Sequence, residues 1–179
     1  MGRAGNRTAA GLATDGLIVY QRVMATDDPR ARLQELGLEL PQLPVPAGSY
    51  LPTVRSGELL YVSGQIATAN GEPVATGRVG EDVDLELAGR CAHTCALNLL
   101  AHVERAADGL GNVEQVLRLT IFVASAAGFN EQHVVANSAS DLLAEVLGER
   151  GRHSRAAVGA AELPMGSPVE IDAVVRLAG

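Results

Sequence analysis

Apolar residues recur at helical spacing in two stretches of the chain and crowd together or alternate in five others. Between Asp84 and about Ala107, the positions Leu85, Ala88, Ala92, Cys95, Ala96, Leu99 and Val103 fall on one side of a 3.6-residue period, predicting a long amphipathic helix ended by Gly109 and Gly111. Phe129 to Leu147 repeats the pattern through Val134, Val135, Ala139, Leu142, Leu143 and Val146, with Gly148 as the stop. Between the two helices, Val116-Leu117-Arg118-Leu119-Thr120-Ile121-Phe122-Val123 is a β-favouring run that predicts a well-buried strand.

Two strand-like runs precede the first long helix, Tyr50 to Val54 and Leu59 to Ala67, around the turn Arg55-Ser56-Gly57-Glu58. Two more follow the second helix, one through His153-Ser154-Arg155-Ala156-Ala157-Val158 and one through Val169-Glu170-Ile171-Asp172-Ala173-Val174-Val175. A Pro/Gly/Ser turn over residues 164–168 separates them. The order strand, strand, helix, strand, helix, strand, strand predicts a single α+β domain with two helices packed on one face of a mixed β-sheet. Ser63-Gly64-Gln65 interrupts the second strand, where glycine permits a bulge or a close ligand approach, and Asn70-Gly71 marks a further turn.

Upstream, Asp27-Asp28-Pro29 followed by Arg30 to Gly37 has the acidic cap, early proline and closing glycine of a short helix, and the prolines of 38–46 predict an extended crossing. Residues 1–26 read as a flexible N-terminal tail ahead of a domain over 27–179; a start at Met24 is the alternative for the first 23 residues.

Composition narrows the function. With 47% hydrophobic and 20% charged residues, 179 residues suit one soluble domain, and no run of about 18 apolar residues predicts a membrane span. Two cysteines are too few for a disulfide framework, which together with the lack of a secretory leader predicts a cytoplasmic protein. A net charge of −7 and 3% aromatics argue against nucleic acid as partner, although Arg150, Arg152 and Arg155 form a local basic cluster.

The Cys91-Ala92-His93-Thr94-Cys95 segment lacks the second ligand pair that structural zinc requires, so no metal is expected. No nucleophile elbow or phosphate-binding glycine loop is present. The remaining candidates are Arg155, whose planar fork grips carboxylates, Glu170, which can move a proton or orient water, Tyr50 on an early loop and Asn137 inside the second helix. In a tight hairpin Arg155 and Glu170 would stand about 20 Å apart. Serving one site therefore requires another connection or a cleft between subunits.

Gly48-Ser49-Tyr50, Leu60-Tyr61-Val62-Ser63-Gly64-Gln65-Ile66, Leu119-Thr120-Ile121-Phe122-Val123, and Arg155 with Leu163-Pro164 and Val169-Glu170-Ile171 together resemble the RidA/YjgF family of small trimeric enamine/imine deaminases. The resemblance is to its longer branch, labelled chorismate mutase-like putative endoribonucleases, and runs from about Leu33 to Leu177. It implies a homotrimer joined into a central barrel, with clefts at the interfaces that take a small-molecule carboxylate and need no cofactor. It implies that Arg155 binds the carboxylate and Glu170 holds the attacking water, while Tyr50 and Asn137 line the pocket and backbone groups at Ser63 and Gly64 touch the ligand. Ala157 stands where many members carry a cysteine, and His153 where a proline is frequent. A non-catalytic carboxylate-binding trimer and an RNA-cleaving translation inhibitor are the rival readings.

Overall fold

A computed structural model describes residues 28–43 and 49–179; the expected N-terminal tail, and part of the extended crossing, lie outside these residues. Asp28 caps a short helix α1 (Pro29–Glu35) by accepting from the Arg30 amide at 3.0 Å. Five strands, β1 (Thr53–Ser56), β2 (Leu59–Ile66), β5 (Val113–Ala124), β6 (Ser154–Ala160) and β7 (Val169–Leu177), form the main sheet. A small hairpin of β3 (Thr68–Ala69) and β4 (Glu72–Pro73) stands apart, with Asn70 and Gly71 both at positive φ in its turn. The long helices are α2 (Leu85–Ala107) and α3 (Gln132–Leu147).

The spatial strand order is β1-β2-β7-β5-β6, with β5 and β6 parallel and every other pair antiparallel. The mixed sheet anticipated from the element order is thus present. The last two strands, however, are not neighbours: β5 lies between them, because the chain passes from one of its edges to the other through a short 3-10 turn, Pro164–Gly166. Two boundaries also move. Arg55 and Ser56 belong to β1, leaving only Gly57 and Glu58 in the turn, and α3 starts at Gln132 rather than Phe129.

One sheet face carries the core. Along β7, Val169, Ile171, Ala173, Val175 and Leu177 are buried, while the residues between them are partly exposed, as a period of two demands. Leu119, Ile121 and Val123 of β5 face the same way, and Ala88, Cys91, Ala92, Cys95, Leu99 and Val103 of α2 pack onto them with Val135, Ala139, Leu142 and Val146 of α3. Asp84 caps α2 by accepting from the Leu87 amide at 2.8 Å, and the helix ends at Asp108, whose left-handed backbone precedes Gly109.

The opposite face has no layer over it among the described residues. It bears Val54, Tyr61 and Val174 in one cross-strand row, and Ile66, Glu170, Phe122 and Val158 in another. Val54, Tyr61 and Val158 are 50, 47 and 44% exposed, uncovered apolar side chains spread across a face that also carries Arg118, Thr120 and Asp172.

Candidate functional site

The predicted residues gather into two groups on different faces of the sheet. The first surrounds Glu170. On β2 the register shifts between Val62 and Gln65, so the interruption anticipated at Ser63-Gly64-Gln65 is a bulge beside β7. The Glu170 side chain lies over it: a Cβ built on Gly64 would overlap Glu170 Oε1 and lie 2.8 Å from its carboxyl carbon. Glycine here is a notch that admits the carboxylate. Burial, reinforced by the negative charge of Asp172 two residues along, holds the Glu170 carboxyl above its ordinary pKa, so its proton leaves less readily than from a free glutamate.

Ser63 ties the same region to the preceding loop. Its amide donates to Pro52 O at 2.9 Å and its hydroxyl to Leu51 O at 2.8 Å. That fixes the segment following Tyr50, which is itself exposed. The Ser63 hydroxyl proton is therefore engaged internally. Behind the sheet, Cys95 is fully buried, points its thiol at Val169 O over 3.4 Å, and is pushed well above the ordinary thiol range, chiefly by burial. Cys91 is also in the core. Buried thiols of this kind are poor nucleophiles.

The second group surrounds Arg155 on the edge strand β6. Arg155 is in register with Leu119, a core residue, and so faces the helix layer. Its Nη1 donates to Asn137 Oδ1 at 3.1 Å and to Ser140 Oγ at 2.9 Å, and its Nη2 donates to His133 O at 3.2 Å. All three acceptors lie along one face of α3, at positions separated by four and three residues. A guanidinium has five N–H groups, so these bonds leave Nε–H and one Nη2–H, a side-on fork suited to a carboxylate. His153, two residues before Arg155, places Nε2 3.0 Å from Ser140 Oγ and Nδ1 2.7 Å from Gly151 O.

Glu170 and Arg155 do not meet within one chain. Glu170 is in register with Phe122, which in turn pairs with Val158, three residues past Arg155 and two strands over. At about 3.3 Å per residue and 4.8 Å per strand, the two Cα atoms are about 14 Å apart, with the side chains on opposite faces. The crossing of β6 and β7 over β5 shortens the separation expected for a hairpin without joining the groups.

Asn137, expected as a pocket residue, is bonded to Arg155. Ser140 and the His133 carbonyl were absent from the sequence reading, although their spacing from Asn137 on a helix was a usable signal. Ser167 also escaped it: this fully buried turn serine donates to Val169 O at 2.8 Å and accepts from the Ala67 amide at 3.2 Å, tying the entry of β7 to the end of β2. Among the described residues no group of His, Cys, Asp and Glu is arranged to hold a metal, and no helix is long and apolar enough to cross a membrane.

Comparison with known proteins adds a further finding. Residues 30–175 match the family model described as YjgF/chorismate mutase-like, putative endoribonuclease. The chain is 42% identical to the Trypanosoma cruzi protein TCP17 over 156 residues, covering 87% of this chain and 98% of that protein. Among solved structures it is similar to Atu1372 of Agrobacterium tumefaciens, described as of unknown function, at 49% identity and a TM-score of 0.79, covering 90% of this chain and 99% of the other. It is also similar to a Shewanella oneidensis protein titled a putative endoribonuclease, at 30% identity and a TM-score of 0.81, covering 84% and 99%.

Proposed function

The chain belongs to the YjgF/chorismate mutase-like family, and on that premise we propose that it hydrolyses reactive 2-imino acids to 2-oxo acids and ammonia in clefts formed between copies of itself. The observation that carries this reading is the Arg155 guanidinium, fixed by three bonds to α3 with a side-on fork left for a carboxylate.

A 2-imino acid is a carboxylate attached to an electrophilic C=N carbon. Arg155 binds the carboxylate in two-point contact, which orients C2 relative to its surroundings. The imine reacts in its N-protonated form: Glu170 takes a proton from a water molecule as the water oxygen bonds to C2, the C=N π electrons move to nitrogen, and a 2-amino-2-hydroxy acid results. The protonated Glu170 then gives its proton to the amino nitrogen, the C–N bond breaks as ammonia leaves, and the hydroxyl proton passes to solvent, balancing the one taken up by the imine and leaving the 2-oxo acid. A carboxyl whose pKa is raised by burial is suited to both steps. Tyr50, exposed beside the Ser63 tether, and the backbone at Ser63 and Gly64 line the Glu170 side of the cleft, and Asn137 lines the Arg155 side.

Two features support assembly as a homotrimer with the site between subunits. Glu170 sits on the open sheet face among Ile66, Phe122 and Val158, which a neighbouring copy would cover, and Arg155 sits on an edge strand that a neighbour can approach. One copy supplies Glu170 and the other Arg155, which overcomes their separation within a chain.

The test is hydrolysis of a short-chain 2-imino acid made in situ by an amino-acid oxidase and trapped with semicarbazide. Wild type accelerates loss of the imine, and Arg155→Ala and Glu170→Gln each abolish the acceleration. If wild type is inactive across a panel of imino acids yet binds 2-oxobutyrate through Arg155, the protein is a carboxylate-binding assembly without turnover. The observation behind that second reading is the separation of Arg155 and Glu170 within one chain, which leaves the Arg155 clamp without a carboxylate unless another copy supplies it.

A further inference from the structure

We propose that His153, acting through the Ser140 hydroxyl, is a positioning residue that holds Arg155 in its carboxylate-binding orientation and releases it when the imidazole is protonated. The inference rests on the reading of Arg155 as a carboxylate clamp.

The hydrogen-bond directions follow from the partners. Gly151 O can only accept, so the His153 nitrogen 2.7 Å from it, Nδ1, carries the proton. In the neutral ring Nε2 then has a lone pair and accepts the Ser140 hydroxyl proton over 3.0 Å. With its proton committed, the Ser140 oxygen turns its lone pairs outward, and Arg155 Nη1 donates to it at 2.9 Å. Gly151 O, His153, Ser140 and Arg155 thus form one chain in which each N–H or O–H proton has one acceptor. Asn137 Oδ1 and His133 O supply the other two contacts that set the plane of the guanidinium.

A helical serine lacking such an acceptor is free to turn its hydroxyl back to the carbonyl one turn earlier or out to solvent. That alters the lone-pair directions presented to Arg155. His153 prevents this reorientation while neutral. Protonation reverses the arrangement: Nε2–H becomes a donor and competes with Arg155 for the same oxygen, bringing two cations to one hydroxyl.

The surroundings keep the ring neutral. On its own strand the charge it feels is that of Arg155; α3 contributes the uncharged Ser140, and the preceding turn contributes the Gly151 carbonyl. Arg118 of β5 is in register with the adjacent Ser154. Of the carboxylates on neighbouring elements, Glu149 pairs with Arg152 and Glu145 acts on His93, while Asp141, next to Ser140 on α3, is exposed to solvent, and none of them is among the groups that move the His153 pKa. Burial, with the Arg155 charge adding to it, lowers the His153 pKa below its ordinary value despite the Gly151 bond.

The experiment is binding of 2-oxobutyrate to the full chain, followed by NMR titration between pH 8 and pH 5.5, in wild type, Ser140→Ala, His153→Ala, His153→Gln and Arg155→Ala. Ser140→Ala and His153→Ala should weaken binding about tenfold at pH 7.5, as expected for losing support of a charge-assisted hydrogen bond. His153→Gln, whose amide oxygen can accept the Ser140 proton and does not titrate, should restore affinity to within about threefold and remove the acid-side decline shown by wild type. Imidazole 15N shifts should report the Nδ1–H tautomer at pH 7.5.

Wild-type affinity and an unchanged pH profile in both His153 variants would overturn the positioning role while leaving the clamp intact. Undiminished binding by Arg155→Ala would overturn the clamp and this inference with it.

Discussion

The Glu170 carboxylate occupies the space that a side chain at position 64 would fill, so Gly64 and Glu170 are coupled sterically across the β2 bulge. The neighbour to be displaced is the far end of a flexible side chain, not backbone. Gly64→Ala should therefore move the carboxylate at little cost to the fold. The expected outcome is turnover reduced about as much as in Glu170→Gln, roughly 10²- to 10⁴-fold, with urea unfolding shifted by about 1 kcal/mol or less. Loss of the fold in Gly64→Ala, or full activity, would contradict the coupling.

Glu170 itself should show a functional residue's mismatch with stability. Its folded pKa is raised by burial and by Asp172, so the carboxylate form present at neutral pH disfavours the folded state. That penalty is present above the folded pKa and disappears as pH falls through it. Glu170→Gln should lower turnover by that roughly 10²- to 10⁴-fold factor yet raise the midpoint of thermal unfolding at pH 7.5. Asp172→Asn should shift the acid limb of the rate profile to lower pH, because it removes the neighbouring charge that raises the Glu170 pKa.

Gly151 presents the opposite steric case. A Cβ there would overlap the Leu143 carbonyl of α3 and lie 2.9 Å from the Ala144 nitrogen, and neither backbone atom can give way without moving the helix. Gly151→Ala should cost about 2–3 kcal/mol in chemical denaturation. Because Gly151 O also fixes the His153 tautomer, carboxylate affinity should fall in any of this variant that remains folded.

The exposed row on the open sheet face predicts an oligomer. Sedimentation should give a mass three times the 18.5 kDa of the chain, and Val158→Glu, which places a charge beside Phe122 and Glu170, should dissociate it and abolish imine hydrolysis. A monomeric wild type with full activity would contradict a site shared between copies.

His93, His102 and His153 are each held below the ordinary histidine pKa, with burial as the leading cause. Below about pH 6.5 the unfolded chain binds protons at these positions more readily than the folded one. Stability should accordingly decline as pH falls from about 7 toward 5.5 and level off below the folded values. His153→Gln should remove part of the slope in urea midpoints measured across that range.

Much of the fold was legible because short-range periodicity reflects burial directly. The spacing from Leu85 to Val103 marked the core face of α2, the run ending at Val123 marked the interior strand β5, and Asn70-Gly71 and Gly148 sit at positive φ where turns were expected. Arg155 and Glu170 stood out as candidates in the sequence because they are the single arginine and the single glutamate, residues of the right chemistry among small and apolar neighbours, in two predicted strands beside a turn shared by both.

Tertiary structure decided what these residues face. The insertion of β5 between β6 and β7 is a sheet-ordering choice that local pattern does not encode. It sets β6 beside β5, where register with Leu119 turns Arg155 toward α3, while register with Phe122 leaves Glu170 on the open face. Ser140 and His153 became partners because β6 lies along α3, bringing together residues 13 apart in the chain. The sequence by itself determined which segments form helices and strands and which face of each is apolar, since those follow from the nearest neighbours along the backbone. The hydrogen-bond chain to Arg155 and the notch beneath Glu170 depend on distances between strands and helices, which exist only once the core has packed.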